Sequence, residues 1–482
     1  MRTRPALTFA LSLALGGLAL ASGARFVQND GRSVWGGVYT NDQAQRGAQA
    51  YAEHCAVCHG AQLTGTGEAK PLSGPEFLSN WNGLSVGDLF DRMRTTMPAN
   101  APKSLSRETY ADVLAFVLKF DGFPAGESEL DHRSEMLAQI RFDAFRPTAS
   151  LVSGAVAETA PTRAADGHDL PDPYRADPEF FKLPPGRKMG STSAVATDSK
   201  GRIWVVERCG RNDCAGSDLD PIIEFDAKGN FIKAFGRGTL LFPHGLFIDA
   251  HDNIWITDGH VAVGKGADVL EFSPGGKLLR TLGRAGVAKA GRDSFSQPNA
   301  VLVAPNGDIF VADGHEPEKG VARIVKLSPQ GRFIRQFGVP GPAPGQMNVP
   351  HTMAMDSRGR LFVGDRWNSR IDIYDQDGKL IDVWSQFGRP SGVYIDAHDI
   401  LYVTDSESRR PEGYGYHPGW ARGIRVGSAR TGVVTAFIPD TYETPDKSAT
   451  SGGEGIWADR NGDIYSAQVL QQRVVRYTPR KG

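Results

Sequence analysis

Six short apolar strand cores recur at irregular spacing along the C-terminal two-thirds of the chain: 202–206, 253–257, 308–312, 360–364, 400–404 and 463–467. Most share a form, an Asp and a turn, then an Ile-Trp-Val type strand, then Asp-Gly or its equivalent, as in Asn253-Ile254-Trp255-Ile256-Thr257-Asp258-Gly259. One such unit cannot bury its own faces, so the units must stack. Six of them, most followed by an outer hairpin, predict a β-propeller with one four-stranded blade per repeat. Ring closure removes the long sheet edges. The 57 glycines and 30 prolines suit that turn-rich, all-β reading.

Aligning the repeats picks out one position ten residues before the second residue of each core. Its occupants are Ser193, His244, Asn299, His351, Ser391 and Glu454. In a propeller this position opens the innermost strand and points into the central channel. The ligand types fall on alternate blades, 351 − 244 = 107 and 454 − 351 = 103 residues apart. Two imidazoles and one carboxylate around one axis suit zinc with an open fourth position, or ferrous iron. Taken singly, a histidine at a strand start is a hydrogen-bonded structural residue, and Glu454 can equally pair with an arginine. Arg208 and Arg366 follow the second strands of blades one and four, where their guanidinium forks can hold a carboxylate or carbonyl substrate or bridge two blades. His260 and His315 take neighbouring mouth positions as candidate acid or base. An insertion, Arg409 to Gly423, carries Tyr414, Tyr416, His417 and Trp420 and reads as a lid, a haem-docking surface or a long rim loop.

The N-terminal third is organised by Cys55-Ala56-Val57-Cys58-His59. Two thiols three residues apart can each form a thioether to a haem vinyl, and His59 then reaches the iron. A thioredoxin-like pair or half a zinc site fits less well, since no second cysteine pair follows nearby. A helix over residues 42–54, with Asp42 as N-cap, leads into the motif, and a loop runs from Gly60 to Gly74. A helix over Val86–Met93 follows, and then Met97, held by Pro98, is the distal sulfur ligand, with Met93 packing instead. Ser106 opens a last helix through Val117. Residues 36–125 resemble a class I cytochrome c domain, which implies a small all-α fold, covalent haem c and electron transfer. Residues 126–178 read as a linker containing a short helical piece, Ser134–Phe142, that can dock on one of the domains, and 179–482 as the propeller.

Residues 1–24 read as a signal peptide: a basic start, an apolar run from Ala6 to Ala21, then small residues. No other stretch is apolar enough to span a bilayer, so the expectation is a periplasmic or secreted protein with no membrane span after cleavage. Cys209 and Cys214 then predict a small disulfide loop, a lone metal-binding thiol pair being the alternative. With 54 basic and 55 acidic residues and no long single-sign run, a nucleic-acid partner is not expected.

Phe242-Pro243-His244-Gly245-Leu246, Val349-Pro350-His351-Thr352-Met353 and Gly364-Asp365-Arg366-Trp367-Asn368 resemble an NHL-repeat propeller, the peptidyl-α-hydroxyglycine α-amidating lyase in particular. That resemblance implies a channel zinc held by three histidines, a calcium site, and arginines with a tyrosine on the substrate. His244 and His351 match two zinc ligands, Arg208 and Arg366 match the mouth arginines, and Leu246 matches a calcium-site carbonyl. The chain departs at three positions: Glu454 replaces the third histidine, Gly455 the acidic residue of the calcium site, and His315 the tyrosine. The lyase reaction is not a redox step and gives no reason for a fused haem. The reading is thus a c-type cytochrome joined to a metal-binding propeller that oxidises or binds a small carboxylate or carbonyl compound. The alternatives are a propeller that docks or binds ligands for a redox partner protein, and retained lyase-type chemistry. Nothing marks a site for a quinone cofactor.

Overall fold

The computed structural model describes residues 32–66, 69–81, 84–144, 170–411 and 413–480. The expected signal peptide and most of the expected linker lie outside them. The N-terminal domain is built from α1 (Asn41–His54), α2 (Ala56–His59), α3 (Gly74–Trp81), α4 (Val86–Thr96), α5 (Arg107–Phe120) and α6 (Ser134–Leu137). The cap of α1 is Thr40, not Asp42: its hydroxyl accepts the Gln43 amide, while Asp42 lies in the first turn, where the helix dipole favours a carboxylate. Ser85 and Asp88 cap α4 reciprocally, and Ser106 caps α5 through the Thr109 amide. Helices α1 and α5 cross at Gly47, where a Cβ would sit 1.8 Å from the Asp112 carbonyl, so only glycine admits the contact.

Residues 126–144, expected as linker, belong to this domain instead. Leu130, Leu137, Ile140 and Phe142 are buried in the same core as Tyr51, Phe90 and Leu114. The Gln43 amide clamps the Leu130 backbone from both sides, and Ile140–Arg141 pairs in parallel with Arg32–Ser33, so the domain is helical but not purely so. The expected helix 134–142 is a single turn.

The rest is a six-bladed propeller of four-stranded antiparallel sheets. All six expected strand cores are second strands, from Ile203–Glu207 through Ile254–Ala262, Ile309–Asp313, Leu361–Asp365 and Ile400–Asp405 to Ile464–Gln468. The sixth blade takes Gly455–Ala458, Ile464–Gln468 and Arg473–Pro479 from the end of the chain and its outer strand, Tyr174–Asp177, from before the first blade. The ring therefore begins at Tyr174, ahead of the expected boundary at residue 179. Apolar clusters fill the spaces between successive blades, as where Trp204 and Ile222 of blade one meet Ile254 and Phe272 of blade two.

Candidate metal and haem centres

The aligned channel positions owe their aim to a repeated irregularity. In blades one to five the ladder between first and second strands shifts register at Ser193, His244, Asn299, His351 and Ser391. Such a bulge takes a residue out of the ladder and redirects its side chain. A buried carboxylate at the end of the second strand holds each entry. Asp258 accepts the Leu241 and Phe242 amides at 2.7 Å, Asp313 accepts those of Ser296 and Gln297, and Asp365 that of Asn348. In blade six Glu454 stands just before the first strand, its amide bonded to the Ala467 carbonyl. All six residues line one channel cavity of about 330 Å³.

His244 and His351 are buried, and each directs Nδ1 at a backbone carbonyl of the next blade, Asn299 O at 2.9 Å and Ser391 O at 2.6 Å. A carbonyl only accepts, so both rings donate from Nδ1 and present the Nε2 lone pair to the axis, the arrangement that metal-binding imidazoles use. His351 Nε2 lies 3.0 Å and His244 Nε2 3.8 Å from Glu454 Oε1, and His244 Nε2 has no hydrogen-bond partner among the described residues. Lone pairs facing a carboxylate this closely repel unless a cation lies by them; the Arg366 guanidinium supplies one at His351, whereas His244 Nε2 has none among the described residues. His315, read from sequence as an acid or base, joins the group: ligand atoms of His244, His315, His351 and Glu454 all lie within 4.8 Å of one another. Burial holds the His244 and His315 rings well below the usual imidazole range, which keeps them neutral as a ligand must be. Burial pushes the Glu454 carboxyl up, but His351 and Arg366 outweigh it and keep it well below the ordinary range. These residues fit a divalent metal.

Arg366 does not stand open for a substrate. Its Nη1 contacts His351 Nε2 at 2.9 Å, Glu454 Oε1 at 3.3 Å and Glu407 Oε1 at 3.0 Å. Glu407, which no motif marked, also binds Arg389 at 2.8 Å and accepts a hydrogen bond from Tyr414 of the rim insertion. Arg208 lies over one face of Phe242, at 3.6 Å, and His260 stacks on the same ring with centroids 3.8 Å apart. His260 is exposed and lies outside the ligand group. Cys209 and Cys214 form the expected disulfide beside Arg208, whose pKa burial lowers to about 10.

In the helical domain Cys55 and Cys58 are not joined in a disulfide and His59 is buried, with Nδ1 facing the Lys70 carbonyl at 2.8 Å. Nε2 is thereby left for iron, and Leu63, Leu72, Leu78 and Met93 belong to the apolar core of the same domain. Met97 caps the end of α4, its carbonyl held by the Tyr110 hydroxyl at 2.7 Å. The set fits a covalent haem. The family described as cytochrome c oxidase, cbb3-type, subunit III, matches residues 42–117. This stretch is a cytochrome c domain.

The propeller has homologues among NHL-repeat and amidating-lyase proteins. NHL repeat-containing protein 3 of Homo sapiens is 31% identical over 228 residues, 44% of this chain and 60% of that protein. Peptidyl-alpha-hydroxyglycine alpha-amidating lyase 2 of Drosophila melanogaster is 31% identical over 200 residues, 38% of this chain and 47% of that protein. The chain thus spans 60% or less of the length of these relatives. Among solved structures, a gluconolactonase from Xanthomonas campestris aligns with 66% of this chain and 92% of its own at a TM-score of 0.43 and 15% identity.

The cytochrome c domain meets the propeller on the channel side that carries these residues. Helix α3 lies against the 3-10 turn Arg366–Asn368, and Trp81 packs edge-on against Tyr416 of the rim insertion, ring centroids 5.7 Å apart. Of the three roles open to that insertion, docking to the haem domain is the one for which the structure provides contacts.

Proposed function

We propose that the chain is an exported, cytochrome-linked oxidoreductase. A divalent metal, iron or zinc, is held by His244, His351 and Glu454 with His315 as fourth ligand, and a small carboxylate- or carbonyl-bearing compound is oxidised beside it. Cys55, Cys58 and His59 hold the haem, with Met97 as distal ligand; when bound, the haem supplies a one-electron acceptor. The observation that carries the reading is the four-residue ligand cluster on the side of the ring where the cytochrome c domain docks. Arg366 holds Glu454 in place with a fixed positive charge, and Arg208, over Phe242, is the guanidinium left for a substrate oxygen. His260 is a candidate proton acceptor only at the outer mouth. The departure at Gly455 leaves calcium out of this proposal.

The test is metal content of the full haem-loaded chain beside its Glu454→Ala and His315→Ala variants. Near-stoichiometric zinc, or iron beyond the one carried by the haem, in the parent and lost in both variants supports the site and warrants a substrate screen read by haem reduction. A parent with no metal beyond its haem iron after careful loading refutes it and favours a propeller that serves only to dock a redox partner protein.

A further inference from the structure

Between the ligand cluster and the cytochrome c domain lies a series of residues joined by packing or by adjacency in the chain. Arg366 touches His351 and Glu454, and the next residue, Trp367, packs edge-on against Tyr414 with centroids 5.6 Å apart. The Arg389 guanidinium lies over both rings, 5.4 Å from Trp367 and 5.8 Å from Tyr414. The turn that bears Trp367 rests on α3, α3 ends in Trp81, and Trp81 meets Tyr416, two residues beyond Tyr414. Tyr416 is itself packed on the cytochrome core. Four aromatic rings from two blades and one helix thus occupy the seam between the domains, and two come from the insertion that lengthens blade five. Aromatic rings serve interfaces through packing alone, and here they also place polarisable π-systems at close spacing between the two centres.

We propose that Trp367, Tyr414, Tyr416 and Trp81 form an electronic bridge between the propeller channel and the haem domain. The proposal rests on the metal reading above, with iron as the metal. The step moves one electron and breaks no bond: one electron leaves an iron(II) held by the ring, which becomes iron(III), and arrives on the ferric haem iron, which becomes ferrous. Trp367 and Tyr416 are positioning residues here, since neither touches a metal ligand's donor atom.

The test uses the full haem-loaded protein. Oxidised protein is mixed anaerobically with one equivalent of iron(II), and haem reduction is followed spectroscopically at several protein concentrations. Bound iron, external reduction of the haem by ascorbate and thermal unfolding of both domains are measured on each sample. The wild type should show a phase independent of concentration. That phase should slow severalfold in Trp367→Leu and Tyr416→Leu and recover in Trp367→Phe and Tyr416→Phe, with bound iron and ascorbate reduction unchanged. Bound iron with no such phase, or an equal rate in the leucine variants, overturns the bridge alone. A wild type that binds no iron overturns the metal reading and the bridge with it.

Discussion

Glu407 offers the sharpest energetic test of the channel mouth. It is buried between Arg366, at 3.0 Å, and Arg389, at 2.8 Å, with both guanidinium groups themselves buried. Glu407→Gln keeps the shape and one acceptor but removes the charge and turns an NH₂ group toward cations. Removing one partner of a buried pair costs about 3–5 kcal/mol because the surviving charge is stranded. Glu454 still faces Arg366 at 3.3 Å, and the Trp367 and Tyr414 rings still face Arg389, so the lower end, about 3 kcal/mol, is expected. For a domain of this size each kcal/mol moves the melting point by about 2–4 °C, which gives a fall of roughly 6–12 °C. Calorimetry of the haem-loaded chain should show the propeller transition moving by that amount and the cytochrome transition staying in place. A shift below about 1 °C would refute the reasoning, since it would mean that both arginines are solvated or otherwise neutralised without Glu407.

Met97→Leu should abolish the sulfur–iron charge-transfer band of the ferric haem and lower its potential, while Met93→Leu leaves both unchanged. Cys209→Ser with Cys214→Ser opens a loop with a sequence separation of 5, and chain entropy gives a loss of about 2 kcal/mol, read as a lower propeller melting point under non-reducing conditions. Burial pushes the Asp121 carboxyl up to about 7 against the pull of the Gly74 amide. Folding therefore binds a proton between the unfolded value near ~4 and 7, so this stabilisation is full below that range and is lost as pH rises through it. The cytochrome melting point should fall between about pH 4 and pH 7, and Asp121→Asn should flatten that fall.

The channel ring was legible because each blade keeps a constant step from first strand to second. Asp198, Asp249, Asp356, Asp396 and Asp459 tie the intervening turns by accepting amides two and four residues on, so a ten-residue offset lands on equivalent positions. The haem residues were legible because their chemistry is local in sequence. His315 as a ligand was not, since its approach to His244 joins the loop after the second strand of one blade to the first strand of another. Glu407 was hidden for the same reason. Residues 126–144 escaped because Leu130, Leu137, Ile140 and Phe142 follow neither a helical nor a strand period; they are fixed by contacts with helices already formed. The insertion's tyrosines carried a composition signal but no address, which only the Trp81 contact supplies.

The strand Tyr174–Asp177 makes the sixth blade a splice of the two ends of the propeller sequence. The ring is a clasp that fastens only after the final strand has left the ribosome, since Tyr174 must wait for Pro479. Until then the haem domain hangs on a strand with no neighbour. A protein cut after Asp177 would bare the Arg476–Pro479 edge, inviting a second molecule to supply the missing strand. Dividing this chain into separately expressed halves must therefore leave the clasp with the propeller.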